Sequence, residues 1–181
     1  MTIPNLITIL RLLLVPIVVV AINQGQWAAA FGVFALAGIS DGVDGFIARR
    51  FDMRTEFGAY IDPLADKALL VSIYVTLSVV NVLPGWIAII VVSRDLMILA
   101  AIVVSRLMER PVAIRPLLVS KLNTAAQIAF AGLVLATMAF GGGAGAWLIP
   151  AGMWTVAALT VVSGVAYLGR WLRHMADPGL A

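Results

Sequence analysis

The chain is organised around one acidic stretch, Asp41–Asp66, which reads DGVDGFIARRFDMRTEFGAYIDPLAD and has apolar segments on both sides. It contains two aspartate pairs, Asp41 with Asp44 and Asp62 with Asp66. On a helix, spacings of three and four residues place both carboxylates of a pair on one face. Because each charge inside a membrane helix costs roughly 2.5–3.5 kcal/mol even on the mildest scale, four such acids need compensation. Oxygen ligands without histidine or cysteine favour hard divalent cations, so we expect two Mg²⁺ or Mn²⁺ ions here.

The composition indicates that lipid, not water, surrounds much of the chain. Hydrophobic residues make up 62% of the 181 residues and charged residues 12%, with a mean hydropathy of +1.06. Soluble domains contain about 45–50% apolar and 25% charged residues. The length suits a single domain over residues 1–181. No cysteine occurs in the sequence, which excludes disulfides and thiolate metal sites. Because Arg11 interrupts the first apolar run, we expect no cleaved signal peptide.

Six apolar segments are long enough to cross about 30 Å of hydrocarbon. They cover residues 6–23, 27–47, 58–80, 85–107, 118–140 and 147–169. We therefore predict an all-α integral membrane protein with six transmembrane helices. The stretch from Met1 to Arg11 contains Pro4, Asn5 and Thr8, so an N-terminal segment lying along the membrane interface is an alternative.

Among the connections between the predicted helices, only those at one end carry positive charge. The turns at residues 23–27, 81–85 and 141–145 carry no charge. The cations of the other end are Arg49, Arg50, Arg54, Arg106, Arg110, Arg115, Lys121, Arg170 and Arg173. The positive-inside rule assigns that end, with both termini, to the cytoplasm of a bacterial inner membrane or the matrix side of a mitochondrial inner membrane.

The polar connection between the second and third spans bears on chemistry. It predicts that these helices are antiparallel neighbours, so that the two acidic pairs meet near the cytoplasmic boundary. Two divalent ions held there would suit phosphoryl transfer. A carboxylate of the same site would remove the proton from an attacking hydroxyl, and Arg49 would hold phosphate at the rim.

Other functions also use acidic groups in membranes. An ion-coupled membrane transporter is the alternative from a different class, but three of the four acids lie near one face, where they cannot form a relay across the bilayer. Membrane prenyltransferases bind pyrophosphate with paired acidic motifs, normally on well-separated helices of a longer chain. A purely structural role for all four acids would leave their charge uncompensated.

The spacing of the acidic stretch resembles the signature of the CDP-alcohol phosphotransferase (CDP-alcohol phosphatidyltransferase) family at every position. That pattern is Asp41-x2-Asp44-Gly45-x2-Ala48-Arg49-x8-Gly58-x3-Asp62-x3-Asp66. The resemblance extends over most of the chain, including the opening Ile3-Pro4-Asn5-Leu6-Ile7-Thr8. It implies a CMP-forming transferase with a cytidine-diphosphate donor, two divalent cations and usually a homodimer. No nucleic-acid partner is expected.

The resemblance also implies roles for the residues of the signature. The metal ligands would be Asp41, Asp44, Asp62 and Asp66. Asp66 would in addition be the catalytic base that activates the acceptor hydroxyl. The CDP pocket would be formed by Asp41, Gly45, Ala48, Arg49, Gly58 and Asp62.

Three further segments bear on the acceptor alcohol. Tyr60–Lys67 resembles the branch that makes acidic glycerophospholipids, while Ser93-Arg94-Asp95 and Ser120-Lys121-Leu122-Asn123-Thr124 resemble eukaryotic-type cardiolipin synthases. Phosphatidylglycerophosphate synthases more often have Gly-Arg-Glu and Gly-Lys-x-Lys-Thr there. Because glycerol 3-phosphate is a small dianion that needs cations, Asn123 in place of a lysine favours phosphatidylglycerol as acceptor. We therefore expect cardiolipin synthesis from CDP-diacylglycerol, with phosphatidylglycerophosphate synthesis as the alternative.

Residues outside the signature are candidates for holding an acceptor or lipid phosphate. They are Arg94, Lys121, Thr124 and Arg115. Arg94 lies near the predicted membrane midplane, where it either pairs with a carboxylate or binds phosphate. Lys121 and Thr124 begin the fifth span, where a helix N-terminus attracts anions. Topology alone would also explain Lys121 and Arg115. Lys67 either compensates the acids or extends to the interface.

Overall fold

Six α-helices make up most of the part of the chain that the structure describes. The computed structural model describes residues 3–50, 56–108, 118–142 and 145–176, with side chains at 9–42, 65, 67–105, 107–108, 118–142 and 145–176. The helices are α1 (Ile3–Asn23), α2 (Trp27–Arg50), α3 (Glu56–Val79), α4 (Gly85–Leu107), α5 (Leu118–Ala139) and α6 (Leu148–Ala176). This confirms the all-α prediction. The largest difference is at α6, which continues past residue 169 because Arg173 and His174 suit a helix C-terminus.

The three uncharged turns close the helices before them in the same way. Gly25, Asn81 and Gly141 each adopt a left-handed backbone, with φ of 69°, 59° and 78°. In each turn the N–H of the following residue bonds to a carbonyl five residues back, at 2.9, 2.9 and 2.7 Å. This is the Schellman ending, which satisfies carbonyls that the helix leaves without partners. Glycine or asparagine at these positions therefore ends α1, α3 and α5.

The helix packing places α1 between α2 and α3. Helix α1 contacts both, α2 also packs on α5, and α4 bridges α3 and α6. The core between them is built from fully buried apolar side chains such as Val18, Ala30, Ile73, Leu77 and Val134. No contact between α2 and α3 occurs among the residues whose contacts the structure describes. The side chains at the ends of these helices that carry most of the aspartate signature lie outside that set, so the pairing expected there stays a prediction.

The outer surface of the helices is strongly apolar. Leu13, Ile39, Val79, Ile89 and Val165 are among many large hydrophobic side chains that are exposed. Within the described residues, three stretches are long and apolar enough to cross a membrane, namely Gly85–Ser105, Leu118–Ala139 and Leu148–Ala176. Shorter apolar stretches lie at Ile9–Asn23, Trp27–Gly42 and Lys67–Val79. Helices with so many exposed apolar side chains are typical of a membrane protein. That all six helices cross the membrane remains a prediction.

Candidate active site

The first aspartate of the signature is held by a buried arginine. Arg11 Nη2 of α1 lies 2.8 Å from Asp41 Oδ1 of α2. The Arg11 side chain is buried, whereas half of the Asp41 side chain (50%) is exposed. The arginine therefore holds one carboxylate oxygen and leaves the outer part of the group accessible. From the sequence, Arg11 was interpreted only as a break in an apolar run. The free-energy cost of a lone cation in an apolar helix could have indicated that Arg11 needs an acidic partner.

A cavity of about 380 Å³ opens beside this ion pair, between α1, α2, α3 and α5. Its lining consists of Arg11, Asp41, Phe34, Ala35, Ala37, Gly38, Ile39, Leu69, Leu70 and Ile128. The polar groups are the two members of the ion pair, and the remaining lining is apolar or glycine. A cavity of this kind suits a ligand with a charged group near Asp41 and a hydrocarbon part beyond it.

The backbone places the rest of the signature on two helices. Helix α2 continues through Asp44, Gly45, Ala48 and Arg49 to its end at Arg50. Gly58, Asp62 and Asp66 all lie within α3. The helical backbone confirms that each acidic pair has the spacing of a shared face. The side chains of Asp44, Ala48, Arg49, Asp62 and Asp66 lie outside the described set, so their metal and CDP roles remain predictions. Arg115 lies outside the described residues altogether.

The groups available at the signature suit a hard divalent cation. All four candidate ligands are carboxylates, and Asp41 presents a half-exposed carboxylate to the cavity. Carboxylate oxygens are the ligands that Mg²⁺ and Mn²⁺ prefer. No group of three potential metal ligands occurs among the described side chains, a set that includes one of the four aspartates. The residues present therefore fit a divalent cation by their chemistry.

A second charged group lies inside the helix bundle, on α4. We call it the Arg94 cluster and define it as Lys67, Arg94, Asp95, Ser120 and Ser163. Arg94 is 5% exposed and donates from Nη1 to Asp95 Oδ1 at 2.7 Å. Its Nη2 donates to Ser120 Oγ at 2.5 Å and to Ser163 Oγ at 2.7 Å. The ion pair with Asp95, one of the two roles expected for Arg94, is therefore present. Phosphate binding by Arg94 remains untested.

Asn123 lies in a buried polar row between α5 and α6. Its side chain is 0% exposed, and its Oδ1 accepts a hydrogen bond from Thr160 Oγ1 at 2.8 Å. Gln127 Nε2 donates to the same threonine hydroxyl at 3.3 Å, and Tyr74 donates to the Gln127 carbonyl at 3.1 Å. Position 123 thus contributes to helix packing in this chain. Its bearing on the choice between glycerol 3-phosphate and phosphatidylglycerol as acceptor remains a prediction.

The two candidates in the first turns of α5 differ in their surroundings. Lys121 is exposed three residues after the start of the helix at Leu118. The Thr124 hydroxyl donates to the Ser120 carbonyl of its own helix at 3.2 Å. An exposed ammonium at a helix N-terminus is well placed for an anion, so Lys121 is the better placed of the two.

Comparisons with known proteins agree with the signature. The CDP-alcohol phosphatidyltransferase family model matches residues 1–165. A probable cardiolipin synthase (CMP-forming) of Drosophila melanogaster is 38% identical over 75% of this chain and 47% of that protein. The cardiolipin synthase (CMP-forming) of Homo sapiens is 35% identical over 77% of this chain and 52% of that protein. A probable phosphatidylglycerophosphate synthase of Mycobacterium tuberculosis is 35% identical over 94% of this chain and 82% of that protein. The chain spans about half the length of these cardiolipin synthases. The match over residues 1–165 shows that the chain belongs to the CDP-alcohol phosphatidyltransferase family.

Proposed function

We propose that this chain transfers a phosphatidyl group from CDP-diacylglycerol to the hydroxyl of phosphatidylglycerol, giving cardiolipin and CMP. The observation that carries the proposal is the complete aspartate signature in a chain whose similar relatives include cardiolipin synthases of two animals. The half-exposed Asp41 beside an apolar cavity supports it, because a lipid substrate needs both a charged and a hydrocarbon environment.

The reaction is a single displacement at phosphorus. Asp66 takes the proton from the acceptor hydroxyl, and that oxygen attacks the phosphorus that bears diacylglycerol. A new P–O bond forms while the bond to the CMP oxygen breaks, and CMP leaves with the electron pair. Asp41, Asp44, Asp62 and Asp66 would hold two divalent cations. When bound, these ions neutralise charge on the pyrophosphate and on the leaving group. Arg11 orients Asp41 through its bond to Oδ1.

The proposed setting is a membrane. All six helices would cross it as parts of one domain over residues 1–181, with both termini and the active site on the cytoplasmic or matrix side. The cytidine of the donor would bind in the polar mouth near Gly45, Ala48, Arg49 and Gly58. Its acyl chains would lie in lipid or in the apolar cavity beside Asp41. We also propose a homodimer as the working form.

Phosphatidylglycerophosphate synthesis, with glycerol 3-phosphate as acceptor, is the second candidate. It is favoured by the Mycobacterium tuberculosis relative, which aligns with more of this chain than the two cardiolipin synthases do. Both reactions would use the same donor, base and metal ions. They differ in whether the acceptor arrives from the membrane or from water.

One assay distinguishes these functions. The purified full chain is given CDP-diacylglycerol, Mg²⁺ or Mn²⁺, and either acceptor, and both CMP release and the lipid product are measured. We expect cardiolipin from phosphatidylglycerol and no product with the Asp66→Asn variant. Phosphatidylglycerophosphate as the sole product would establish the second candidate. If no CMP is released with either acceptor, both proposed functions are contradicted.

A further inference from the structure

Two cations share one carboxylate oxygen in the Arg94 cluster. Lys67 Nζ of α3 lies 2.5 Å from Asp95 Oδ1, and Arg94 Nη1 lies 2.7 Å from the same atom. Among the described side chains, the cluster therefore holds two positive charges and one negative charge. Excess positive charge in an apolar bundle is costly, so a further anion at this place would be stabilising.

Arg94 is the more constrained of the two cations. Its two terminal nitrogens are used by Asp95, Ser120 and Ser163. Its guanidinium carbon also lies 5.6 Å from the centre of the Tyr167 ring. Turning Arg94 toward a ligand would break three hydrogen bonds and leave Asp95 with one cation fewer. Its surroundings instead fix the guanidinium, and through it the Asp95 carboxylate.

Lys67 is more exposed than Arg94 and has hydrogen-bond donors left for a ligand. Its side chain is 36% exposed, and Asp95 is its one ionic partner among the side chains that the structure describes. An ammonium group has three N–H donors, so donors remain after the contact with Asp95. Lys67 also directly follows Asp66, the proposed base, so its backbone lies about 3.8 Å along the chain from that residue.

We infer that Lys67 is the cation that binds the phosphate ester of the acceptor, with Asp95 and Arg94 as the positioning residues that hold it. The inference rests on the proposed function and adds a specificity residue to that site. When Lys67 turns to the phosphate, Arg94 still compensates Asp95, so the exchange leaves Asp95 with a partner. An incoming phosphate would also offset the excess positive charge of the cluster's described side chains.

The recognised chemistry is an anionic phosphate ester close to a free hydroxyl. Phosphatidylglycerol carries it as a diester in the membrane, and glycerol 3-phosphate carries it as a monoester in water. The donor presents its pyrophosphate to the aspartates instead. Loss of Lys67 should therefore affect use of the acceptor much more than use of the donor.

The test compares Lys67→Met, Lys67→Arg and the wild-type full chain in mixed micelles. Acceptor concentration is varied at saturating CDP-diacylglycerol, and donor concentration at saturating acceptor. We expect Lys67→Met to raise the acceptor KM by about 10- to 100-fold, the range for one charge-assisted hydrogen bond, and to change the donor KM by less than about threefold. Lys67→Arg should recover most of the loss. Arg173→Gln removes one exposed positive charge from α6 and should leave both KM values unchanged.

Equal changes in donor and acceptor KM, or a fall in kcat alone, would overturn the inference in favour of a structural role. If glycerol 3-phosphate proves to be the acceptor, the same comparison with that substrate tests Lys67. If neither acceptor reacts, the proposed function fails, and binding still tests Lys67. In that case wild-type protein in mixed micelles should bind phosphatidylglycerol more tightly than phosphatidylcholine. A Lys67→Met variant that kept this preference would contradict the inference.

Discussion

At the scale of single residues, the four aspartates are proposed to have different roles, Asp66 as base and metal ligand and the other three as metal ligands. Asp66→Asn should abolish transfer while CDP-diacylglycerol binding is partly kept, because three proposed metal ligands remain. Asp41→Asn and Asp62→Asn should weaken metal and nucleotide binding together. Steady-state CMP release and Mn²⁺ binding by electron paramagnetic resonance measure the two effects separately. Substantial turnover by Asp66→Asn would show that another group is the base.

Arg11 offers a test of how Asp41 is held. Arg11→Gln removes the buried cation and its bond to Oδ1, a charge-assisted contact worth about 1.5–3 kcal/mol. We expect a lower midpoint of thermal unfolding in detergent and weaker Mn²⁺ binding, since Asp41 loses its orienting partner. Arg170→Gln, at an exposed position of α6, is the matched control. Unchanged Mn²⁺ affinity in Arg11→Gln would show that the pair is structural only.

The candidate site was predictable where residue type and spacing decide the outcome, and less so where packing does. Residue type and spacing predict the two acidic pairs, and the cost of charge in a membrane made a carboxylate partner one of the two roles expected for Arg94. The partner of Arg11 was not predicted, because it lies on another helix and only the fold brings it to Asp41. The packing of Asn123 against Thr160 was not predicted either, because the sequence does not show that its side chain faces α6; its bearing on the acceptor stays a prediction.

At the scale of helices, Asp95 connects α3, α4 and, through Arg94, α5 and α6. Asp95→Asn removes the carboxylate but leaves the guanidinium buried, and breaking a buried pair in this way typically costs about 3–5 kcal/mol. We expect a marked fall in the midpoint of thermal unfolding. The double variant Arg94→Met with Asp95→Asn removes both charges and should be more stable than Asp95→Asn alone. Equal midpoints in the two variants would argue against the ion pair as the cause.

The turn after α1 gives a second prediction at this scale. Gly25→Ala places a Cβ on a residue with φ of 69°, which should cost about 1 kcal/mol of folding free energy. Gly32→Ala in α2 is the matched control, because a Cβ there would meet nothing within 4 Å. Unfolding midpoints of the two variants provide the measurement. A Gly25→Ala protein as stable as Gly32→Ala would mean that the turn relaxes without cost.

The bounds of the helices were largely predictable, whereas their arrangement was not. Apolar length and uncharged turns place helix ends well, and α4 coincides with the predicted segment 85–107. The position of α1 between α2 and α3 depends on which side chains fit together. Buried α1 residues such as Leu14 and Val18 belong to the core, and the sequence does not show which helices they contact.

At the scale of the whole molecule, the distribution of cations predicts how the chain lies in the membrane. Because the sequence has no cysteine, single cysteines can be introduced and labelled without background. Cysteines at Gln24, Asn81 and Gly143 should react with an impermeant reagent from the non-cytoplasmic side. Those at Asp52 and Glu109 should react from the cytoplasmic side. Labelling at Gly143 from the cytoplasm alone would overturn the six-span arrangement.

The pairing of Arg94 with Asp95 has a consequence for biogenesis. Both residues belong to α4, and they are neighbours in the chain, so the contact of 2.7 Å needs no other helix. In the proposed six-span arrangement, α4 would therefore enter the bilayer with the charge of Arg94 already neutralised, before α5 and α6 supply their hydroxyls. Insertion of α4 would then not need to wait for assembly of the bundle.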